Sequence, residues 1–349
     1  MIKDLYINIE KFIENLSIDL YTKNGLYCKV PENEEEDNIP KFHLSEGFSN
    51  PSKFYKENGY VILKKIFSKK NCNQFIKSWN EEVKPFKGFI YRQATAKLEK
   101  NIFNEQNWIM NPILNLQSLN PKHFKYLRSN FDSIVASNRN LADFITFLIG
   151  DRPAIVQSMY FEGNSSTWEH QDSYYLDDED TGSMLAGWIA LENIEANAGR
   201  FFICPKSHLF DYAKMDFSNI ISTNHQKYID SIVDIIKVNN YEIKAPKLDK
   251  GDILIWNALT IHGSLDSQSK VNSRSSITFH AIKSSSKFQI FRNILRKLNY
   301  DKNYPFFIFR PKDLSKKSNK IIFFLEKNFP KIFYKLKDSA IEFNVRLKK

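Results

Sequence analysis

The chain of 349 residues is 42% hydrophobic and 26% charged, a globular composition whose length suits one large domain or two modest ones. With 11 Gly, 12 Pro, no run near the roughly 18 apolar residues of a bilayer span, and Cys28, Cys72 and Cys204 scattered without a CxxC, collagen-like, low-complexity, membrane-spanning and disulfide-framed classes are excluded. The net charge of +10 sits at one end: residues 285–349 carry 17 Lys and Arg against 5 Asp and Glu, while the remainder carries 33 against 35. The opening MIKDLYINIEKF lacks the basic stretch and apolar core of an export signal, so a cytoplasmic protein with reduced thiols is expected.

In chain order, Leu5, Ile9, Phe12, Ile13 and Leu16 recur at helical spacing before the acidic stretch PENEEEDNIP, so residues 1–51 read as a helical lead-in and surface linker. From residue 52 the texture predicts a short helix, a strand at Tyr60–Leu63, and a helix with Ser68 just before it as N-cap. A helical stretch near residues 123–149 leads into strand-like runs at 154–161, 184–191, 200–204, 252–256 and 274–282. Short strands divided by turns and long excursions predict a mainly β (α+β) domain over residues 52–284, an antiparallel sandwich or barrel with helices packed outside. Beyond Ser284, FQIFRNILRKL and KIIFFLEKNFPKIFYKL mix apolar and basic residues at helical spacing, so residues 285–349 read as a basic amphipathic helical extension.

His170 and Asp172 form the triplet HQD. A His-x-acid pair is expected about once by chance in a chain with 7 His and 40 acids, so the triplet alone says little. On an extended segment, however, the two side chains project from the same side and can present one nitrogen and one carboxylate oxygen to a common point. Two His and one carboxylate with open positions are the ligand set of non-haem Fe(II) oxygenases. The third ligand must come from elsewhere, and His262 in GDILIWNALTIHGS, a strand ending in a loop, is the best candidate. In the following strand, RSSITFHAI, Arg274, Ser276, Thr278 and His280 share one face by the period of two. An Arg fork beside a hydroxyl suits the distal carboxylate of a dicarboxylic keto acid.

These segments together resemble the phytanoyl-CoA dioxygenase family of Fe(II)- and 2-oxoglutarate-dependent oxygenases. The resemblance spans roughly residues 52–284: KENGYVILKKIFSKKNCNQFI, then HQD, GWIALENIEANAGRFFICPKSH, KGDILIWNALTIHGS and the Arg274 strand, in matching order and spacing. It implies a double-stranded β-helix (jelly roll), His170, Asp172 and His262 as iron ligands, Arg274 as the 2-oxoglutarate anchor, and Ser276 and Trp188 lining the cosubstrate pocket. Fe(II), 2-oxoglutarate and O2 are the implied cofactor and cosubstrates. The chain departs from the family at Pro205-Lys206-Ser207-His208, where a Gly is common in place of Lys206, and at Arg200, where a bulky residue is usual. Residues 1–51 and the tail inherit nothing from it.

The implied activity is hydroxylation of a C–H bond in a small molecule or conjugated metabolite with release of succinate and CO2. Desaturation, epimerisation and ring formation share the ligand set. The carboxylate of Asp172 disfavours halogenation, for which related enzymes carry a small residue. Gln157 and Met159, alternating inward before HQD, and Tyr174 and Tyr175 after it are substrate-pocket candidates, and Arg92 is a weaker one. Each is also consistent with plain packing, as HQD is with a capped surface loop, and His208 and His280 read as structural. The competing reading of the whole chain is a non-catalytic jelly-roll module tethered by its tail to an anionic membrane or polyanion. No sequence-specific nucleic-acid module accompanies the charge. For the tail itself, packing of its Phe and Ile face against the barrel is the expectation, with attachment to an anionic surface as the alternative.

Overall fold

The computed structural model describes residues 17–163, 165–210, 221–291 and 294–336. The helix expected over residues 5–16 lies outside them. The described part of the lead-in opens with a hairpin, β1 (Ser17–Tyr21) and β2 (Tyr27–Pro31). The acidic stretch that follows is pinned to the body rather than free, since Asp37 is buried 2.9 Å from Lys41 Nζ and accepts the Lys247 N–H at 2.8 Å.

The chain continues through β3 (Lys41–Phe42), α1 (Ser49–Asn58), β4 (Tyr60–Leu63) and α2 (Lys69–Ser78). Ser68 caps α2 as the sequence predicts, its hydroxyl accepting the Asn71 N–H at 3.1 Å. Short strands β5 (Ile90–Tyr91), β6 (Leu98–Glu99) and β7 (Ile113–Leu114) lead to helices α3 (Lys125–Asn130) and α4 (Arg139–Ile149), the latter stopped by Gly150 in the left-handed region at φ 73°. Then come β8 (Pro153–Phe161), β9 (Thr167–His170), β10 (Leu176–Asp178), β11 (Leu185–Ala190), β12 (Phe201–Ile203), α5 (Ile221–Val238), β13 (Ile253–Asn257), β14 (His262–Ser264) and β15 (Ser276–Lys283).

The strands form a large sheet in the order β18 (Phe307–Ile308), β8, β15, β11, β13, β4, β3, with β7 also pairing to β8, and a small sheet in the order β12-β14-β9. Both faces of the large sheet are covered, which is why β4 and β11 read as continuous apolar runs rather than alternating ones. One set of side chains, including Val61, Leu63, Ile255 and Phe279, packs against Phe75 of α2 and Phe144 of α4. The alternate set, Tyr60, Ile62, Trp188, Leu254 and Trp256, meets Phe201 and Ile203 of the small sheet. Each such buried side chain is worth about 1.5–3 kcal/mol against solvent. Two facing sheets with helices on the outer side result.

The segment after residue 284, expected to be helical, is non-helical among its described residues as far as residue 316. β16 (Phe288–Ile290) pairs with β10, β17 (Ile294–Arg296) with β16, and β18 (Phe307–Ile308) lies parallel to β8. The apolar residues in FQIFRNILRKL fit either period, and open strand edges supplied backbone partners that a lone helix would lack. Phe306 and Ile308 are fully buried in the main core. Arg310 contacts Asp132 at 3.0 Å, and Arg128 contacts Asp313 at 2.6 Å. Helix begins only at α6 (Lys317–Asn328). Among the described residues, no helix is long and apolar enough to cross a membrane.

Candidate metal centre

β9 and β14 are antiparallel neighbours, and their register places His170 directly across from His262. His262 is thus the first residue of a short strand, not part of the loop that the sequence predicts. The two imidazoles are 4.3 Å apart between ring centroids. His170 Nδ1–H donates to the Trp168 carbonyl at 2.8 Å, and His262 Nδ1–H to the Thr260 carbonyl at 2.9 Å. A carbonyl can only accept, so each ring carries its proton on Nδ1 and leaves the Nε2 lone pair for a ligand.

Asp172 opens a tight turn (Asp172–Tyr174) just after β9. Its Oδ1 lies 3.6 Å from His170 Nε2 and 3.5 Å from His262 Nε2. Two ligand atoms each about 2.1 Å from one ion at right angles stand about 3 Å apart, so these separations suit a shared cation. His170, Asp172 and His262 are the one group of three His, Cys or carboxylate side chains among the described residues whose atoms converge within 4.8 Å. Burial on its own would raise the Asp172 carboxyl, but the field of the nearby His262 and His280 rings outweighs it. The carboxylate is held well below its ordinary range and is anionic.

Several residues that sequence reasoning did not single out fix this arrangement. Trp256 donates its indole N–H to Asp172 Oδ2 at 2.8 Å, and His280 Nε2 lies 3.3 Å from the same oxygen. Gln171, fully buried between His170 and Asp172, donates to the carbonyls of Phe210 and Leu259 at 2.7 and 2.6 Å, tying the HQD turn to the loop before β14. Glu169 behind the strand is buried and accepts hydrogen bonds from Thr22 and Asn24 of the N-terminal hairpin. An aromatic wall stands beside His170. Tyr175 lies 5.8 Å from the His170 ring, its hydroxyl 2.7 Å from His225 Nε2 of α5, and Trp168 also donates to it at 3.3 Å. Tyr174 stacks on Tyr228 of α5 at 3.6 Å. The only signal for α5 is the apolar period of Tyr228, Ile232, Ile235 and Ile236.

Arg274 sits in the turn before β15 rather than within it. It is buried, donates from Nη1 to the Gly199 carbonyl at 2.7 Å, and its Nε finds no partner among the described residues. Burial pushes its pKa down to about 10, so it stays charged at neutral pH. Gly199 is in the left-handed region at φ +77°, and a Cβ there would stand 2.8 Å from the Leu265 carbonyl oxygen. Ser276 Oγ and both ring nitrogens of His280 likewise lack hydrogen-bond partners among the described residues. Cross-strand pairing aligns the inward positions in rows: Gln157, His280, Ala186 and Trp256 in one, Met159, Thr278, Trp188 and Leu254 in the next, and Phe161, Ser276 and Ala190 in the third. Gln157, Met159, Trp188 and Ser276 therefore share the face that carries Trp256 toward Asp172. A buried cationic fork, an unpaired hydroxyl and an unpaired imidazole on one inner face form a polar lining that no described residue saturates.

His208 is not in the converging group; its Nε2–H donates to the Lys56 carbonyl at 3.1 Å and its ring packs where a Cβ on Gly59 would collide at 2.4 Å. Arg92 is fully buried and donates to the Asn111 carbonyl at 2.9 Å and Asn101 Oδ1 at 2.6 Å, a structural tie of one loop.

Facing sheets with two imidazoles and a carboxylate converging between them define a candidate mononuclear metal site of the facial-triad type. Residues 55–276 match the family model for phytanoyl-CoA dioxygenase (PhyH), and the chain belongs to that family. It is 25% identical over 230 residues to the peroxisomal phytanoyl-CoA dioxygenase of Bos taurus, covering 61% of this chain and 62% of that protein. The Mus musculus protein is 23% identical over 228 residues, with the same coverage of each chain. The chain thus spans about 62% of the length of the curated relatives it matches. Among solved structures, the non-haem alpha-ketoglutarate-dependent carbocyclase SnoK from nogalamycin biosynthesis superposes with TM-score 0.53 at 16% identity, over 70% of this chain and 88% of that one. EctD from S. alaskensis, with 2-oxoglutarate and 5-hydroxyectoine, superposes with TM-score 0.50 at 17% identity, over 76% and 82%. These likenesses establish a common fold.

Proposed function

We propose that the chain is an Fe(II)- and 2-oxoglutarate-dependent dioxygenase that hydroxylates a C–H bond of a small molecule or conjugated metabolite, on a double-stranded β-helix scaffold. The observation that carries this reading is the convergence of His170 Nε2, His262 Nε2 and Asp172 Oδ1 on one point, with both Nδ1 protons committed elsewhere. The residues fit the metal. Two neutral imidazoles and one carboxylate leave Fe(II) with one residual positive charge, which favours a dianionic chelator. When bound, iron with 2-oxoglutarate and O2 supplies oxidative decarboxylation to succinate and CO2 and the oxidation of the substrate C–H bond.

The chain's own part is placement. Trp256 holds the second oxygen of Asp172, with the His280 ring beside it, so that the first stays free for a metal. Arg274, carried at its position by the Gly199 carbonyl, offers free guanidinium donors to the far carboxylate of the cosubstrate, with Ser276 beside it and Trp188 on the same inner face. Gln157 and Met159 from the inner face and Tyr174 and Tyr175 from the turn would border the substrate. The presence of Asp172 supports oxygenation over halogenation.

Succinate formation from 2-oxoglutarate by the purified protein, with and without added Fe(II), tests the reading. Iron-dependent succinate that disappears in Asp172→Ala and His262→Ala is the expected result, with both variants folded. A variant lacking either side chain that still binds iron stoichiometrically and makes succinate removes that residue from the ligand set, and no iron-dependent turnover in the native chain overturns the proposal. Product mass then separates hydroxylation, which adds one oxygen atom, from desaturation or ring closure, which removes two hydrogens.

A further inference from the structure

α6 is folded inside out. Of its twelve residues the fully buried side chain is a carboxylate, Glu326, 1% exposed, while Ile321 is 62% and Phe324 58% exposed, and Leu325 also faces water. Phe329 after it is 51% exposed, and Ile332 and Leu336 in the helical stretch at 330–336 are 63% and 66% exposed. A surface helix of a soluble protein ordinarily does the reverse. The expectation that the Phe and Ile face of the tail packs on the barrel holds for Phe306 and Ile308 but is corrected over residues 317–336.

Rotation of the helix is locked. Glu326 accepts the Tyr91 hydroxyl at 2.8 Å and Lys312 Nζ at 3.0 Å, as well as the hydroxyl of Tyr334, and Phe323 packs edge-on against Tyr91 at 6.1 Å. Turning the apolar stripe inward would strip a buried carboxylate of three donors, which costs far more than an exposed apolar side chain. By the 3.6-residue repeat, Lys317 and Lys320 stand beside Ile321 and Phe324 on the outer side, with Lys327 at its edge, its ammonium 5.7 Å from the Phe89 ring centroid. Residues 316–336 hold six Lys, and their sole acid is the buried Glu326. The outer surface thus presents aliphatic and aromatic groups rimmed by positive charge and no negative charge.

From this we infer that α6 and the helical stretch after it form a docking surface for an anionic lipid bilayer: Ile321, Phe324, Leu325 and Ile332 enter the headgroup boundary while the lysines meet acidic lipids. Charge complementarity selects this occupant. A second copy would bring six lysines against six, and a nucleic acid would leave the apolar stripe unused. The inference does not depend on the metal centre.

Co-sedimentation of the full-length protein with phosphatidylcholine vesicles, with or without phosphatidylserine, tests it. Binding to the anionic vesicles should exceed binding to neutral ones by about tenfold or more and fall as salt rises, because each lysine contributes on the order of fivefold at the surface. The triple variant Ile321→Ser, Phe324→Ser, Ile332→Ser should lose about tenfold or more in binding while its melting temperature and uncoupled 2-oxoglutarate turnover stay unchanged, since all three side chains are exposed. Lys317→Glu, Lys320→Glu, Lys327→Glu should lose binding as well. Absence of binding to anionic vesicles at low salt overturns the inference. So does a serine variant that binds as the native chain does, which would mark a general polyanion site. A concentration-dependent dimer in light scattering that the serine variant abolishes would assign the face to a second copy and also overturn it.

Discussion

The indole N–H of Trp256 donates to Asp172 Oδ2 at 2.8 Å, while Oδ1 of the same carboxylate stands 3.6 and 3.5 Å from His170 and His262 Nε2. One carboxylate is thereby divided between a structural donor on β13 and the point where the imidazoles meet. Trp256 comes from the large sheet and the imidazoles from the small one, so this bond couples the two halves of the sandwich at the candidate metal centre.

Trp256→Phe keeps the packing of the six-membered ring but removes the donor. Ligand-orienting hydrogen bonds of this kind are worth about 10–100-fold in metal affinity. Fe(II) titration of the variant should show a loss in that range, with thermal stability reduced by no more than about 1–2 kcal/mol. An unchanged iron affinity would show that the indole N–H does not orient the carboxylate.

Arg274→Lys keeps the charge and loses the planar fork, and a single ammonium cannot serve the Gly199 carbonyl and a carboxylate ligand with the same geometry. The 2-oxoglutarate affinity should fall by about tenfold to a hundredfold, about 1.5–3 kcal/mol, with iron occupancy little changed. Should iron binding fall while 2-oxoglutarate affinity holds, Arg274 is not the anchor.

Asp177 gives a pH signature distinct from the metal centre. Burial pushes its pKa up to about 6, against a Ser173 hydrogen bond and backbone N–H donors of Gly182, Asp178 and Met184 that pull it down. The folded state therefore holds this proton more tightly than the unfolded chain, whose group titrates near 3.8. Its contribution to stability is complete below the unfolded value and is lost as pH rises through about 6, amounting to about 2–3 kcal/mol. Urea unfolding across this range should show a downward slope in the native chain relative to Asp177→Asn. Parallel profiles for the two proteins would place the titration elsewhere.

The candidate ligand positions were legible in the sequence because their signals are short-range or punctuated. HQD places two donors two residues apart, HGS follows an apolar strand, and the Arg274 strand follows at a spacing the family shares. The Ser68 cap and the β4 strand were legible for the same reason: a hydroxyl three residues ahead of an orphan N–H, and a run of branched and aromatic side chains, act locally. The apolar text of residues 288–296, by contrast, fits helix and strand alike, and the free edge of β10 decided it.

What only the tertiary structure decided is everything that depends on register between distant strands. His170 meets His262 because β9 and β14 pair at that residue and not one residue away, where the rings would face opposite sides. Trp256 reaches Asp172 across 84 residues of chain, and α5 brings His225 and Tyr228 to the aromatic wall beside His170 from a stretch with no motif at all. The orientation of α6 is the sharpest case. Its sequence is amphipathic whichever way it turns, and the apolar stripe faces out because a single buried Glu326 finds its hydrogen-bond donors on the body of the protein. Local sequence sets which backbone shapes and donor atoms are available; cross-strand register and the satisfaction of buried charge, both sums over the whole chain, set where those atoms point.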